Sequence, residues 1–386
     1  MTSLLAGMRG KTLAVGLFGL GLTAIGAVFG PDQFFRSYLF AYMFWLGVAL
    51  GCLAIVMIQH LTGGAWGLIT RRILESGART LPMMALLFVP VVVGLSSLYM
   101  WARDDEVARD EILRHKAPYL NIGFFLARAA VYFAVWSTLA LVLSRWSRAQ
   151  DETGDARLVR KFQMLSAGGL LLFVLTMTFA SVDWVMSLEP HWFSTIYGVL
   201  LMAGQAVSAL CFAIAMVILL SRHKPLSEVV TAGHLHDLGK LLFAFVMVWA
   251  YFALSQFLII WSGNLPEEIP WYLRRMRGGW EWLGLAIILL HFVLPFLLLL
   301  PRRVKRSPTG LLRVALLVFL MRLVDLYWMM APAHETGGWR AHWMDLSAPI
   351  GVGGIWLFLF LRQVERFPLL PLRDPSLGEA LVPAHE

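Results

Sequence analysis

Charged residues are scarce in this sequence: 15% of its 386 residues are Asp, Glu, Lys or Arg, and 59% are hydrophobic. A soluble domain carries roughly 25% charged residues, so this composition excludes an ordinary soluble protein. The few charges lie mostly between long apolar stretches, each with the length of about 20 residues that a helix needs to cross a bilayer. The mean hydropathy of +0.70 agrees with a chain embedded in a membrane along most of its length.

Metal-ligating residues are also scarce. Cys52 and Cys211 are the only cysteines and lie in separate apolar stretches, whereas an iron–sulfur cluster needs four ligands. Of ten histidines only His291 is well embedded, and a transmembrane b-type haem usually needs two. His234 and His236 are better explained as the solvated start of a helix than as a metal pair. No glycine-rich phosphate or dinucleotide motif is present, so the chain is expected to bind no metal and carry no redox centre.

Ten apolar stretches are predicted to be transmembrane helices, and the loops between them are too short for a soluble domain. We therefore expect an all-α integral membrane protein with a single helical domain over residues 1–363. The predicted spans cover residues 12–30, 38–60, 81–100, 119–144, 162–182, 194–220, 238–262, 279–300, 310–331 and 346–363. Residues 364–386 contain four prolines and are expected to form an extended, cytoplasmic C-terminal tail.

Basic residues are distributed unevenly between the two sets of loops. The loops on the side of the N-terminus carry about 20 Lys and Arg residues, and those on the other side carry about 9. Because cytoplasmic loops are enriched in Lys and Arg, both termini are predicted to be cytoplasmic. The count includes three arginines in a predicted loop over residues 61–80. The net charge of +8 is thus a topology signal, since the basic residues are too dispersed for a nucleic-acid site.

Polar residues inside the apolar stretches are the strongest indication of function, because a charged group at the centre of a bilayer costs at least about 2.5–3.5 kcal/mol. At about 1.5 Å per residue, four different helices place a polar side chain near the midplane, and further polar residues lie between that level and the outer side. Together these residues are a candidate proton path: Arg128, Asp183, Gln205, Gln256, His291, Arg322 and Asp325.

Each residue of this path also has a structural explanation. Arg322 and Asp325 lie three residues apart on one helix face and can form a buried ion pair that fixes helix packing. Arg128 can find a partner on a neighbouring helix, and His291 can be a hydrogen-bonded core residue. Both glutamines can form hydrogen bonds between helices. The depth argument therefore leaves open whether the seven residues meet.

The loops on the predicted outer side are rich in tryptophan. Residues 104–115 have helical spacing and predict a short interfacial helix. Seven tryptophans lie in or beside these loops: Trp101, Trp184, Trp192, Trp271, Trp280, Trp339 and Trp343. Tryptophan is typical of the membrane–water interface, and its clustering with proline and glycine also suits a surface for partner proteins. Both interpretations stay open.

The segment between the fifth and sixth spans, residues 181–198, reads SVDWVMSLEPHWFSTIYG. Its distinctive residues are Asp183, Trp184, Glu189 and His191. From the residues alone, the two carboxylates can accept bonds from span-end donors such as Arg128 and so fix the loop. The segment resembles the hallmark of the NrfD-like (polysulfide-reductase-like) membrane subunits of alternative complex III, and is most similar to the ActF type.

This resemblance implies a subunit of a quinol:cytochrome c oxidoreductase in a bacterial inner membrane. It implies two four-helix bundles plus two further helices, buried polar residues that serve as proton half-channels, and a possible quinone contact. Iron–sulfur clusters and c-type haems are then expected in partner subunits, which would include a second NrfD-like chain. Two other functions fit the residues: a secondary transporter that uses the embedded Arg, Asp and His, and an inert assembly scaffold.

Overall fold

The computed structural model describes residues 2–335, 337–371 and 373–375, and in these ranges it contains helices and no strand. Ten helices are long and apolar enough to span a membrane. They are α1 (Leu5–Phe29), α2 (Pro31–Thr62), α3 (Ala65–Val93), α4 (Ile122–Thr153), α5 (Arg157–Leu188), α6 (Tyr197–Leu220), α7 (Ala232–Gly263), α8 (Trp280–Leu299), α9 (Pro308–Ala333) and α10 (Met344–Val364). The prediction of an all-α protein with ten spans is confirmed, and nine spans overlap the predicted stretches along most of their length.

The third span was predicted wrongly. It was expected over residues 81–100, but α3 begins at Ala65 and ends at Val93. The expected loop over residues 61–80 is mostly helix, and its arginines Arg71, Arg72 and Arg79 are buried. Charge alone made this segment look like a loop, because two of the carboxylates that pair with these arginines, Asp151 and Asp374, are distant in sequence.

Helix α3 is also broken into short pieces. They are Ala65–Ala78, Leu81–Leu86 and Val89–Val93, followed by Leu95–Leu98. Pro90 lacks an N–H and disfavours a regular helix in the preceding turn. Two carbonyls that the breaks leave free are those of Met84 and Leu87, and they accept hydrogen bonds from the Tyr42 hydroxyl at 2.8 Å and the Tyr38 hydroxyl at 2.7 Å. Side chains of α2 therefore replace the missing backbone bonds.

The long helices form two groups of four, α2–α5 and α6–α9, which meet where α2 packs on α6. The most apolar window of α2 is 100% buried and that of α6 is 89% buried, against 22% for α1, α7 and α8. Helices α2 and α6 are therefore central. This arrangement agrees with two four-helix bundles plus two further helices, α1 and α10.

Helices α1 and α10 pack closely on each other because glycines face glycines. A Cβ atom at Gly16 would lie 2.7 Å from the Ile355 nitrogen, and one at Gly19 would lie 2.7 Å from the Gly351 nitrogen. Small residues allow such close approach between membrane helices. An ion pair between Arg9 and Glu365 joins the two helix ends at the same side of the protein.

We call that side the basic face; it comprises residues 63–64, 154–156, 221–231, 300–307, 365–371 and 373–375. The first part of the predicted tail packs on it: Leu369 and Leu370 are buried, and Arg373 donates to the Glu152 carbonyl at 2.5 Å. Residues 376–386 of the predicted tail lie outside the described residues.

The opposite side, which we call the aromatic face, comprises residues 94–121, 189–196, 264–279, 334–335 and 337–343. The predicted helix over residues 104–115 is present as two short helices, Asp104–Arg109 and Glu111–Lys116. The tryptophans do not form the predicted interfacial belt as a group. Trp339 and Trp343 are 42% and 47% exposed, whereas the other five are buried in the protein.

Candidate functional site

The predicted path residues Arg128 and Asp183 form a buried ion pair between α4 and α5. Arg128 Nε and Nη2 each donate to a different Asp183 oxygen at 2.8 Å, and the Tyr132 hydroxyl donates to the same carboxylate at 2.8 Å. The guanidinium also donates to the Tyr119 carbonyl at 2.9 Å. Asp183 lies in the last turn of a regular helix and is fully buried, so its predicted place in a loop was wrong. Every polar atom of this bidentate pair has a partner, as a structural ion pair requires.

A second buried pair joins Arg322 and Asp325 on α9, as their spacing predicted. The indole of Trp249 on α7 donates to Asp325 Oδ2 at 3.1 Å. The same indole contacts His291 of α8, with a ring-centroid distance of 4.0 Å. Three helices of the second bundle thus bring a carboxylate, a guanidinium, an indole and an imidazole into one enclosed cluster, which we call the α7–α9 cluster.

His291 differs from its neighbours because neither of its ring nitrogens has a hydrogen-bond partner among the described residues, although the side chain is fully buried. Buried polar groups are normally satisfied, so an ordered water is the simplest partner for this imidazole. His291 also lies in a π-helical segment, Ile287–Val293, in which the Leu294 N–H bonds the Leu289 carbonyl. Pro295 cannot donate to the His291 carbonyl, which favours this local widening. Such π segments are frequent at functional sites.

Arg322 fits into the second bundle because α6 has a glycine opposite it. A Cβ atom at Gly204 would overlap the Arg322 guanidinium. The neighbouring Gln205 points elsewhere: its amide nitrogen lies 3.3 Å from the sulfur of Met177, and its oxygen has no partner in the described structure. Gln205 is buried on α6, but in the described structure it does not bond to the ion pairs.

A third polar group lies at the aromatic face around Arg275, which sequence reasoning missed. Its Nη2 donates to Glu189 at 2.8 Å and to the Met329 carbonyl at 2.8 Å, and its guanidinium lies 3.6 Å from the Trp271 ring centroid. Arg274 pairs with the other Glu189 oxygen at 2.6 Å. Glu189 therefore does fix its loop, but through the 264–279 loop rather than through Arg128. The adjacent arginines, three and four residues after Trp271 in this loop, were the available signal.

Gln256 and Tyr197 lie between the α7–α9 cluster and the Arg275 group. Gln256 donates to the Tyr272 hydroxyl at 3.4 Å, and its oxygen accepts from Ser194 at 3.3 Å. Tyr197 is buried at the start of α6, close enough to four charged residues for them to interact with its hydroxyl: Arg275, Glu189, Asp325 and Arg322. We call these three residues, Gln256, Tyr197 and Tyr272, the polar connection from the cluster towards the aromatic face.

The remaining residues of the 181–198 segment hold the loops together. His191 pairs with Asp110 at 2.6 Å, and Lys116 donates to the Pro190 carbonyl at 2.6 Å. The Leu113 N–H and then His191 lower the pKa of Asp110, which also caps the helix that follows it. Trp184 is fully buried in an aromatic group that includes Trp136 and Phe133. These contacts are structural.

A buried charged group on the basic face was also missed. Glu75 accepts from Arg71 at 2.9 Å, Arg72 at 2.8 Å, Arg79 at 3.2 Å and Ser147 at 2.6 Å. Asp151 pairs with Arg72, and Asp374 of the tail pairs with Arg71 at 2.7 Å. The signal was the placement of the three arginines three or four residues from one glutamate on a single helix.

The seven residues of the predicted path therefore do not form one continuous file. In the described part of the chain, no hydrogen bond or ion pair joins Arg128–Asp183 to Arg322–Asp325. Arg322, Asp325 and His291 meet, Gln256 lies on the way to the aromatic face, and Gln205 stands apart. Among the described residues, no group of three or more His, Cys, Asp or Glu side chains is placed to hold a metal ion.

No model of a known protein family matches this chain, and no curated protein is significantly similar to it.

Proposed function

We propose that this chain is the membrane subunit of a respiratory quinol:electron-acceptor oxidoreductase of the alternative complex III type. In this proposal the chain carries no redox centre, anchors partner subunits in a bacterial inner membrane and moves protons through its second bundle. The partners are a second NrfD-like chain, an iron–sulfur protein and c-type cytochromes, and a quinone contact on this chain belongs to the same proposal. The observation that carries the proton-transfer part is the α7–α9 cluster.

The cluster suits proton transfer because a carboxylate and an imidazole are both able to exchange protons, and both are enclosed here. Asp325 has one fixed cation beside it, whereas Asp183 has an arginine and a tyrosine that hold both of its oxygens. His291 has two free nitrogens among the described residues. Tyr197, Gln256 and the Arg275 group continue the polar connection towards the aromatic face, which gives one half of a path across the membrane.

The aromatic face supports the anchoring role. Its loops are locked to each other through Glu189, Arg275 and the stacked rings of Trp192 and Trp271, whose centroids are 4.9 Å apart. A rigid surface loses little entropy when it binds a partner. Trp339 and Trp343 remain exposed on this face. Exposed aromatic side chains on a rigid base are typical of interaction surfaces.

The first test is purification through this chain in mild detergent, followed by a redox spectrum and a subunit gel. We expect c-type haem absorbance and several co-eluting subunits. A colourless single band would contradict the redox assignment. The second test is Asp325→Asn in the assembled complex. We expect normal subunit composition and a reduced number of protons moved per electron. If the number of protons moved per electron is unchanged, the result favours the alternative that the chain is an assembly scaffold.

A secondary transporter is the second candidate, because transporters contain interrupted helices near their substrate sites. Helix α3 is broken near Pro90, and α8 has its π-helical segment before Pro295. The α3 break is already satisfied by two tyrosine hydroxyls, which favours a structural role. Uptake into liposomes that contain this chain alone would favour transport, and the single-band outcome above would lead to that assay.

A further inference from the structure

An apolar groove of about 360 Å³ lies on the outer surface of the bundle, between α1, α2, α9 and α10. Ligand sites in proteins are typically roughly 300–1,000 Å³, so the groove is large enough for a small molecule or a lipid chain. Its walls include Val15, Trp45, Phe319, Leu320, Ile350 and Gly353. Val15, Leu320 and Ile350 are each at least half exposed, which shows that the groove opens sideways out of the bundle, where the bilayer lies.

Apart from Lys11, the described lining of the groove is almost wholly apolar, and its Thr12 hydroxyl already donates to the Arg9 carbonyl at 3.0 Å. The one polar atom of Trp45, its indole N–H, donates to the Pro349 carbonyl at 2.9 Å. The ring itself packs against Gly353, where a side chain would collide with it. A hydrocarbon chain therefore fits these walls better than a polar ligand does.

Two cations lie on the helices that line the groove, towards the ends of those helices at the basic face. Lys11 is itself part of the groove lining. Arg313 lies near the start of α9. Leu316 and Leu320 follow it by three and seven residues, so all three lie on the same face of the helix. Both cations are exposed, and neither forms an ion pair or hydrogen bond with any described residue. The neighbouring carboxylate, Glu365, is already paired with Arg9.

We propose that this groove is a binding site for an anionic phospholipid of the leaflet at the basic face. One acyl chain fills the groove between α1, α2, α9 and α10, and the phosphate is held by Lys11 and Arg313. Long basic side chains at helix ends reach to the headgroup level, which allows both cations to meet the phosphate there. The unpaired charges at the mouth favour an anionic headgroup over a zwitterionic one.

The test is native mass spectrometry of the full-length chain in mild detergent, after exposure to equal amounts of phosphatidylglycerol and phosphatidylcholine with the same acyl chains. We expect one phosphatidylglycerol to remain bound in preference to phosphatidylcholine. Removing a cation near the membrane surface is expected to lower that preference about 5-fold, and removing both, in Lys11→Gln/Arg313→Gln, roughly 30-fold. Leu320→Trp fills the groove and is expected to lose the bound lipid whatever its headgroup.

The controls remove the same charge or add the same bulk elsewhere. Arg160→Gln/Lys161→Gln removes two exposed cations at the basic end of α5, and Leu171→Trp enlarges a lipid-facing residue of α5 that is 70% exposed. Both controls are expected to retain the lipid and its headgroup preference. Equal retention of the two lipids by the unmodified chain overturns the proposal, as does an equal loss in the α5 controls. Lys11→Arg/Arg313→Lys keeps both charges and should restore the preference if the double glutamine variant fails to fold.

Discussion

Arg322 of α9 lies against Gly204 of α6, in a space that exists only because residue 204 has no side chain. We expect Gly204→Ala to push the guanidinium away from Asp325 and to lower the free energy of unfolding by about 1–3 kcal/mol, as overpacking of a core does. Thermal unfolding in detergent would measure this. Gly168→Ala is the matched control, since a Cβ there meets nothing within 4 Å. An equal effect at both positions would show that Gly204 has no special relation to Arg322.

The Arg128–Asp183 pair predicts a strong coupling between its two members. Arg128→Leu leaves the fully buried Asp183 carboxylate without its bidentate partner, and we expect a loss of about 3–5 kcal/mol in unfolding free energy. Arg128→Leu/Asp183→Asn removes the uncompensated charge and should recover part of that loss. A double-mutant cycle on thermal or denaturant unfolding measures the coupling. Strictly additive losses would mean that the two residues do not stabilise each other.

The Glu75 group predicts that one carboxylate keeps three buried arginines in place. Glu75→Gln removes the negative charge at the centre of Arg71, Arg72 and Arg79, and we expect a loss of about 3–5 kcal/mol. Glu152→Gln is the control, because that side chain is 62% exposed and its pair with Arg148 should contribute only about 0–1 kcal/mol. The comparison of the two melting temperatures checks the prediction. If both variants lower the melting temperature by a similar small amount, the Glu75 group is solvated and the prediction is wrong.

Asp110 predicts a local response to acid. Its pKa is lowered in the folded state, chiefly by the Leu113 N–H and then by His191. The contribution of Asp110 to stability is therefore fully present above the ordinary Asp pKa of about 3.9. As pH falls from that value through the lower folded pKa, the contribution is lost and the cap of the Glu111–Lys116 helix weakens. Hydrogen exchange at the Ile112 and Leu113 amides, measured against pH, should show faster opening in this range. Asp110→Asn should remove this pH dependence; if it persists, another group is responsible.

Much of the fold was predictable because a bilayer imposes one simple rule: about 20 apolar residues are needed per span. This rule succeeded for nine helices and failed for α3, where Arg71, Arg72 and Arg79 interrupt the apolar pattern. The burial of these arginines depends on Asp151 of α4 and Asp374 of the tail as well as on Glu75. Long-range partners of this kind leave no periodic signal in the sequence.

The candidate site was also predictable only in part. Positions along each helix could be counted, so His291 and Arg322 were expected at one level with Asp325 one turn further out, and these three do lie together. The rotation of each helix about its axis could not be counted, and this rotation separates Gln205 and the Arg128–Asp183 pair from that cluster.

The sequence by itself thus determined the apolar, multi-span character of the chain, the number of long apolar helices and the position of each polar residue along its helix, because all three follow from hydropathy and the rise per residue. Only the tertiary structure decided which charges pair, which imidazole has no hydrogen-bond partner among the described residues and where a groove opens sideways out of the bundle. These depend on helix contacts as local as Gly204 beneath Arg322, or Gly353 beneath Trp45. A missing methyl group there determines the packing of side chains that are distant in sequence.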